Sequence, residues 1–273
     1  MAEHGNINFH LTFKPEIQYI ASIISIADGI TAYDIKDISN MTGIPNGKTS
    51  GKVEPHIQYS KYMGLIDYKK RDGKYIISLT PLGEVVLRED PGLQEDLSIL
   101  LCHAMICREV NGADVWSECV INILPKYKNV IKKDLLIKEL EVVFPGKVNS
   151  KNVAPFFSSY GDMFSTLNML NENSDIISLI PSSFKKEFIY LYAFVLWKVW
   201  EEKYPHQEEI SSSQLEMLNF GKIFGWNIEQ EYKVLEQLSD RELLRLNRQL
   251  MPYTILKLIP IDNLLNKLYS ELC

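Results

Sequence analysis

Residues 31–87 read TAYDIKDISNMTGIPNGKTSGKVEPHIQYSKYMGLIDYKKRDGKYIISLTPLGEVVL, an order of helix, Gly/Pro turn, helix, hairpin and return helix. Thr31-Ala-Tyr-Asp34 offers a Ser/Thr-x-x-acid box, with Ile35, Ile38 and Met41 following at helical spacing. Thr42-Gly-Ile-Pro-Asn-Gly47 breaks that helix, since Gly43 and Gly47 tolerate positive φ and Pro45 cannot continue an amide ladder. A second helix is expected, capped by Thr49 or Ser50, with Pro55 in its first turn and Gly64 at its end. Leu65–Lys70 and Lys74–Leu79 flank Asp72-Gly73, a two-residue hairpin signal, and Thr80-Pro81 opens a closing helix. The order predicts a winged helix-turn-helix: a mainly α fold with a small β-hairpin wing, followed by a helical region.

That fold makes the second helix a recognition helix. On a 3.6-residue wheel Val53, Ile57 and Ser60 share the inward face, while Lys52, Gln58, Tyr59 and Tyr62 fall away from it. Those four are the expected groove-facing residues, with Tyr59, Tyr62 and Gln58 toward bases and Lys48 and Lys52 toward phosphates. The hairpin places Lys69, Lys70, Arg71 and Lys74 at or beside one exposed tip.

Charge supports this locally rather than globally. The 273-residue chain carries a formal charge of −6, so it has no general attraction for phosphate. Between Gly43 and Tyr75, however, seven Lys or Arg face three acids. A protein-contacting winged helix with solvated lysines is the bland alternative.

The sequence divides into a winged helix-turn-helix at 1–90, a helical core at 91–207 and a C-terminal helical region at 208–273. Helices are expected over Leu93–Val110, Val115–Leu124, Lys132–Phe144 and Ser150–Phe164, the last two forming a helical hairpin or a second helix-turn-helix. The aromatic stretch Phe184–Tyr204 reads as the C-terminal core, and its apolar run Phe188–Trp200 is too short to span a bilayer. Glu208–Ser213 reads as a polar linker. Leu215–Phe224, Glu229–Leu238 and Arg241–Leu250 read as helices, the last with Arg241, Arg245 and Arg248 on one face. No signal peptide or membrane segment is recognisable, so a cytoplasmic protein with free cysteines and no membrane partner is expected.

Patterns that suggest catalysis weaken under spacing. Gly43 to Thr49 is one residue short of a phosphate-binding loop and lacks a preceding strand. Cys102, His103, Cys107 and Cys119 lack zinc spacing and read as buried side chains, as does His10. Asp67-Tyr68-Lys69, with Glu54 upstream, fits the end of a nuclease motif only by force.

Phe9-His-Leu-Thr-Phe-Lys-Pro15, Thr42 to Lys48 running into Tyr62-Met-Gly-Leu-Ile66, Glu89-Asp-Pro-Gly-Leu93, Leu100-Leu-Cys-His103 and Ala113-Asp-Val-Trp116 resemble, in order, the bacterial domain-of-unknown-function family 4007. The likeness is sharpest over residues 9–116. Members are encoded beside DNA-phosphorothioation genes, and the resemblance implies the DNA-binding, strand-nicking component of a single-strand phosphorothioation and antiviral defence system. It implies double-stranded DNA and sulfur-modification or defence proteins as partners, and a divalent metal, Mg²⁺ or Mn²⁺, for any nickase. This chain has Gln58-Tyr59 where the family has an Arg-aromatic pair, and no catalytic residue maps onto it. A non-catalytic recruitment module and a transcriptional regulator of a defence operon are the alternative readings.

Overall fold

Helix α1 (Ile17–Ser25) buries Ile20, Ile23 and Ile24 and leads into strand β1 (Asp28–Tyr33). Thr31, expected as a helix cap, therefore lies in a strand. Helix α2 (Ile35–Thr42) starts at Asp34, whose carboxylate accepts the Asp37 N–H at 2.8 Å while Asp37 accepts the Asp34 N–H at 3.1 Å. The acid displaces the hydroxyl as cap because Asp34 has its partner three residues on inside the helix. Gly43 ends α2 at φ +72°, a conformation costly for most residue types other than Gly, Asn and Asp. Helix α3 (Val53–Tyr62) begins after Lys52, and neither Thr49 nor Ser50 caps it. Strands β2 (Ile66–Arg71) and β3 (Lys74–Leu79) pair as expected, with Asp72 at φ 51° and Gly73 at φ 77° forming the tight turn. Thr80 accepts the Gly83 N–H and Pro81 opens α4 (Pro81–Glu89).

The computed structural model describes residues 6–248 and 252–272. It is mainly helical with three small antiparallel sheets, and the chain falls into two compact units, Met1–Leu179 and Ile180–Cys273. In the first unit, α5 (Asp96–Ile106) is buried almost throughout; it is shorter than expected because Leu93 takes φ 51° and the Asp90 carboxylate ties down the Gln94 and Glu95 N–H groups. Helix α6 (Asp114–Ser117), a π-helical stretch and α7 (Leu124–Lys126) follow without a break.

Next comes β4 (Val130–Lys132), α8 (Lys133–Val143), α9 (Ser150–Tyr160), β5 (Leu170–Asn173) and β6 (Ile176–Leu179). Residues 130–170 are thus more than a helical hairpin: a strand enters the helix pair and a β-hairpin leaves it. In the second unit α10 (Ile189–Lys203) buries Tyr192, Phe194, Trp197 and Trp200, as the aromatic stretch predicts. Then β7 (Glu209–Ser211), α11 (Ser212–Leu218), α12 (Phe220–Ile223), α13 (Ile228–Asp240), β8 (Leu244–Asn247), β9 (Thr254–Lys257) and α14 (Ile261–Lys267) complete the order. The expected linker at 208–213 holds β7 and the Ser211 cap of α11. The expected helix Arg241–Leu250 is instead the turn that follows α13 and then β8, residues 249 and 250 lying outside the described residues. Among the described residues no helix is long and apolar enough to cross a membrane.

The three sheets share one strand order, first–third–second: β1-β3-β2, β4-β6-β5 and β7-β9-β8. Ile66, Leu170 and Leu244 pair with Leu79, Leu179 and Lys257 respectively. Two residues before each of those partners stands an isoleucine on the central strand, Ile77, Ile177 or Ile255, and each is fully buried. The chain therefore repeats one strand–helix–helix–hairpin module three times, the third with the short α12 added between its two longer helices. Between the first two the repetition reaches the sequence at an offset of 100: Val53-x-Pro55 against Val153-x-Pro155, and Ile76-Ile-Ser-Leu79 against Ile176-Ile-Ser-Leu179.

Candidate nucleic-acid interface

Nearly all of α3 is buried. Val53, Pro55, His56, Ile57, Tyr59 and Ser60 face inward, which leaves Glu54, Gln58 and Lys61 as one outward stripe at helical spacing. That stripe is already occupied by the neighbouring hairpin. Lys70 Nζ donates to Glu54 at 2.7 Å, Gln58 Nε2 donates to the Tyr68 hydroxyl at 2.6 Å, and Lys61 Nζ lies 5.1 Å from the Tyr68 ring centre.

Tyr59 corrects the helical wheel. It is fully buried, its hydroxyl donates to the Phe13 carbonyl at 2.8 Å, and its ring meets Phe9 and Trp116 edge-on. The wheel places it outside because it considers one helix against one layer. Here the N-terminal segment and Trp116 form a second layer on the other side. Burial of the Tyr59 ring raises its hydroxyl pKa well above the usual value, so it stays a neutral donor. Tyr62 is half-buried, packed on Phe9 at 4.6 Å. Lys52 pairs with Glu16 at 2.6 Å with its ammonium near the Phe13 and Tyr19 rings. Gln58 is half-buried. Of the residues expected to enter a groove from α3, none presents a fully open side chain.

The hairpin tip is different. Lys69, Arg71 and Lys74 are exposed, and Lys69 and Lys74 form no ion pair among the described residues. Among the described residues Arg71 pairs only with Asp72, at 3.7 Å with both side chains about nine-tenths exposed, a contact worth little in water. Lys48 is likewise exposed in the α2–α3 turn, without an ion pair among the described residues. Lys70 is held back: Glu54 and the Tyr75 hydroxyl accept its protons, which raises the lysine pKa, and hydrogen bonds from Lys70 and then Tyr75 lower that of Glu54. Glu54 reads in the sequence only as an upstream acid. The cross-strand neighbours Lys70 and Tyr75 are the signal that would find its clasp.

The other candidates are interior. His10 is buried, accepts the Thr12 N–H at Nδ1 and is lowered to about 4 by burial. His103 Nε2 lies 2.8 Å from the Tyr160 hydroxyl, and Cys102, Cys107 and Cys119 are buried thiols whose pKa burial raises. Among the described residues no three His, Cys, Asp or Glu side chains group as metal ligands would.

No protein-family model and no curated protein matches the chain. It is similar to two solved structures, described as the magnesium ion-bound SspB crystal structure and the SspB crystal structure. The TM-scores are 0.73 and 0.72 and the identities 15% and 16%, over 98% of this chain and 88% of each of those. At such identity the likeness establishes a shared fold.

Proposed function

We propose that residues 31–87 act as a winged helix and that this chain is the DNA-binding component of a bacterial phosphorothioation-linked defence system, working in the cytoplasm with sulfur-modification or defence proteins. The DNA-contacting domain spans residues 1–90, and the mainly helical regions 91–207 and 208–273 follow it, the last of them available to those partners. The observation that carries the reading is the hairpin tip: Lys69 and Lys74 stand in solvent without an ion pair among the described residues, and Arg71 meets only the equally exposed Asp72 among them. The SspB-like fold and the resemblance to family 4007 supply the biological setting.

The binding mode follows from what is open. With the outward stripe of α3 occupied by Lys70 and Tyr68, the wing and the Lys48 turn approach phosphates, and α3 does not enter a groove as a reading head. Such binding is sequence-tolerant and steeply salt-dependent. Binding is put before strand nicking because the open tip cations bear directly on phosphate contact, whereas nicking rests on the resemblance alone. Purified protein incubated with supercoiled plasmid and Mg²⁺ or Mn²⁺ tests this directly. The expected outcome is a shifted plasmid that remains supercoiled. Relaxed circles would assign nicking instead, and no shift at low salt would remove the reading.

A further inference from the structure

We infer that the second module, residues 126–179, is a second duplex-DNA contact surface; this rests on the reading of the first module as a DNA-binding winged helix. The two modules share strand order and the Val-x-Pro and Ile-Ile-Ser-Leu repeats. They also share a local excess of cations. Residues 126–151 contain seven lysines and three acids, so the cations of this module gather on β4, α8 and the α8–α9 turn; over the whole of 126–179 the balance is seven to six.

Placement makes the second surface the more open of the two. Lys126 is paired with Glu139, and Lys133 with Glu172. Lys128, Lys132, Lys138, Lys147 and Lys151 are exposed and form no ion pair among the described residues. Lys147 stands in the α8–α9 turn just after Gly146, as Lys48 follows Gly47 in the first module. Lys151 lies in the first turn of α9, where the first module has Gly51 next to the tethered Lys52. Along α9 the outward residues Lys151, Ala154 and Ser158 are exposed, and no side chain of the β5–β6 hairpin bonds to them among the described residues. The helix stripe covered in the first module is open in the second.

Both helices lean on one buried indole. Trp116 meets the Tyr59 ring at 5.8 Å and the Phe156 ring at 5.8 Å, and its Nε1–H donates to Ser159 Oγ at 3.3 Å. Two cationic modules fixed within one compact unit engage a duplex as a linked pair, the second engagement being intramolecular once the first is made.

The test is duplex binding over a salt series with Lys132→Ala, Lys147→Ala and Lys151→Ala combined, beside wild type and a wing variant with Lys69→Ala, Arg71→Ala and Lys74→Ala. All six sites are exposed, and an unchanged melting temperature checks the fold. The salt slope is expected to fall by roughly one unit for each phosphate no longer neutralised, in each triple variant separately. Normal slope and affinity in the α8–α9 variant, with binding weakened in the wing variant, overturns this inference and leaves the first-module reading standing. A wild type that fails to bind overturns both. A reversed-charge set, Lys147→Glu and Lys151→Glu, should weaken binding further; unchanged binding there would also sink the inference.

Discussion

The first and third modules pair their hairpins in the same way, Ile66 to Leu79 and Leu244 to Lys257, yet their cations meet opposite fates. At the first tip Lys69, Arg71 and Lys74 are open. In the third, Arg241 is paired with Glu271 and Arg248 with Glu236, and residues 208–257 carry eight acids against six Lys or Arg. The helix before each hairpin differs too. Where α3 is covered by its own hairpin, α13 lines a cavity of about 480 Å³ through Gln230, Val234 and Gln237, together with Phe184 and Trp226. One topology therefore serves two surfaces, and the distribution of acids decides which can meet a polyanion.

The largest effect that could break this comparison is in DNA affinity. Neutralising Lys69, Arg71 and Lys74 should lower the salt slope by about three units, whereas neutralising Arg241, Arg245 and Arg248 should leave slope and affinity unchanged, as read by fluorescence anisotropy. Equal reductions in the two variants would erase the distinction. Next in size is Tyr59→Ala, which removes a fully buried ring and should cost about 3–5 kcal/mol by denaturant melting. Any weakening of its binding should vanish when corrected for the folded fraction. A binding defect in fully folded Tyr59→Ala would restore the groove-facing role.

The two units should also respond to pH with opposite sign. Burial lowers His10 and His56 to about 4 and His103 to about 3, so the first unit keeps full stability above about 6.5 and loses it as pH falls toward those values. Burial, helped by the charge of Glu216, raises Glu231 to about 7. The second unit is then most stable below about 4.5 and weakens as pH rises through 7. The Glu231 contribution is on the order of 3 kcal/mol, and Glu231→Gln should flatten it. Hydrogen exchange resolved by unit at pH 5 and pH 7 would measure both slopes, and parallel slopes would contradict the assignment. Smallest are the caps: Asp34→Ala and Ser211→Ala should each cost about 1 kcal/mol, alike despite their modules' different surfaces.

What the sequence reveals follows the range of the forces involved. The β2–β3 hairpin is readable because Asp72-Gly73 and the alternation around it are local, and so are the Gly43 stop and the Thr80-Pro81 start. Strands of three residues such as β4 and β7 carry too little pattern to register. The arginine spacing at 241–248 suggests a helix face, but Leu244 buried, Arg245 exposed and Leu246 half-buried is the alternation of a strand. Tyr59 escapes a single-helix reading because Phe9 and Trp116, remote in sequence, cover it. The tip cations are legible; that Glu54 removes Lys70 from them is legible only through the hairpin register, which sets Lys70 opposite Tyr75.

The near-identical central strands, Ile76-Ile-Ser-Leu79 and Ile176-Ile-Ser-Leu179, pose a question of folding fidelity. Either could pair with the other's partner strand, and tandem modules are prone to such misassembly. Chain closure supplies the discrimination. Each central strand is joined to its second strand through a two-residue turn, Asp72-Gly73 or Ser174-Asp175, so the correct hairpin can form in about 1–10 μs. Pairing with β1 or β4 spans about forty to fifty residues and must come later. The turns thus act as timing devices: lengthening the Asp72-Gly73 loop would slow the local closure and give the exchanged pairing time to compete.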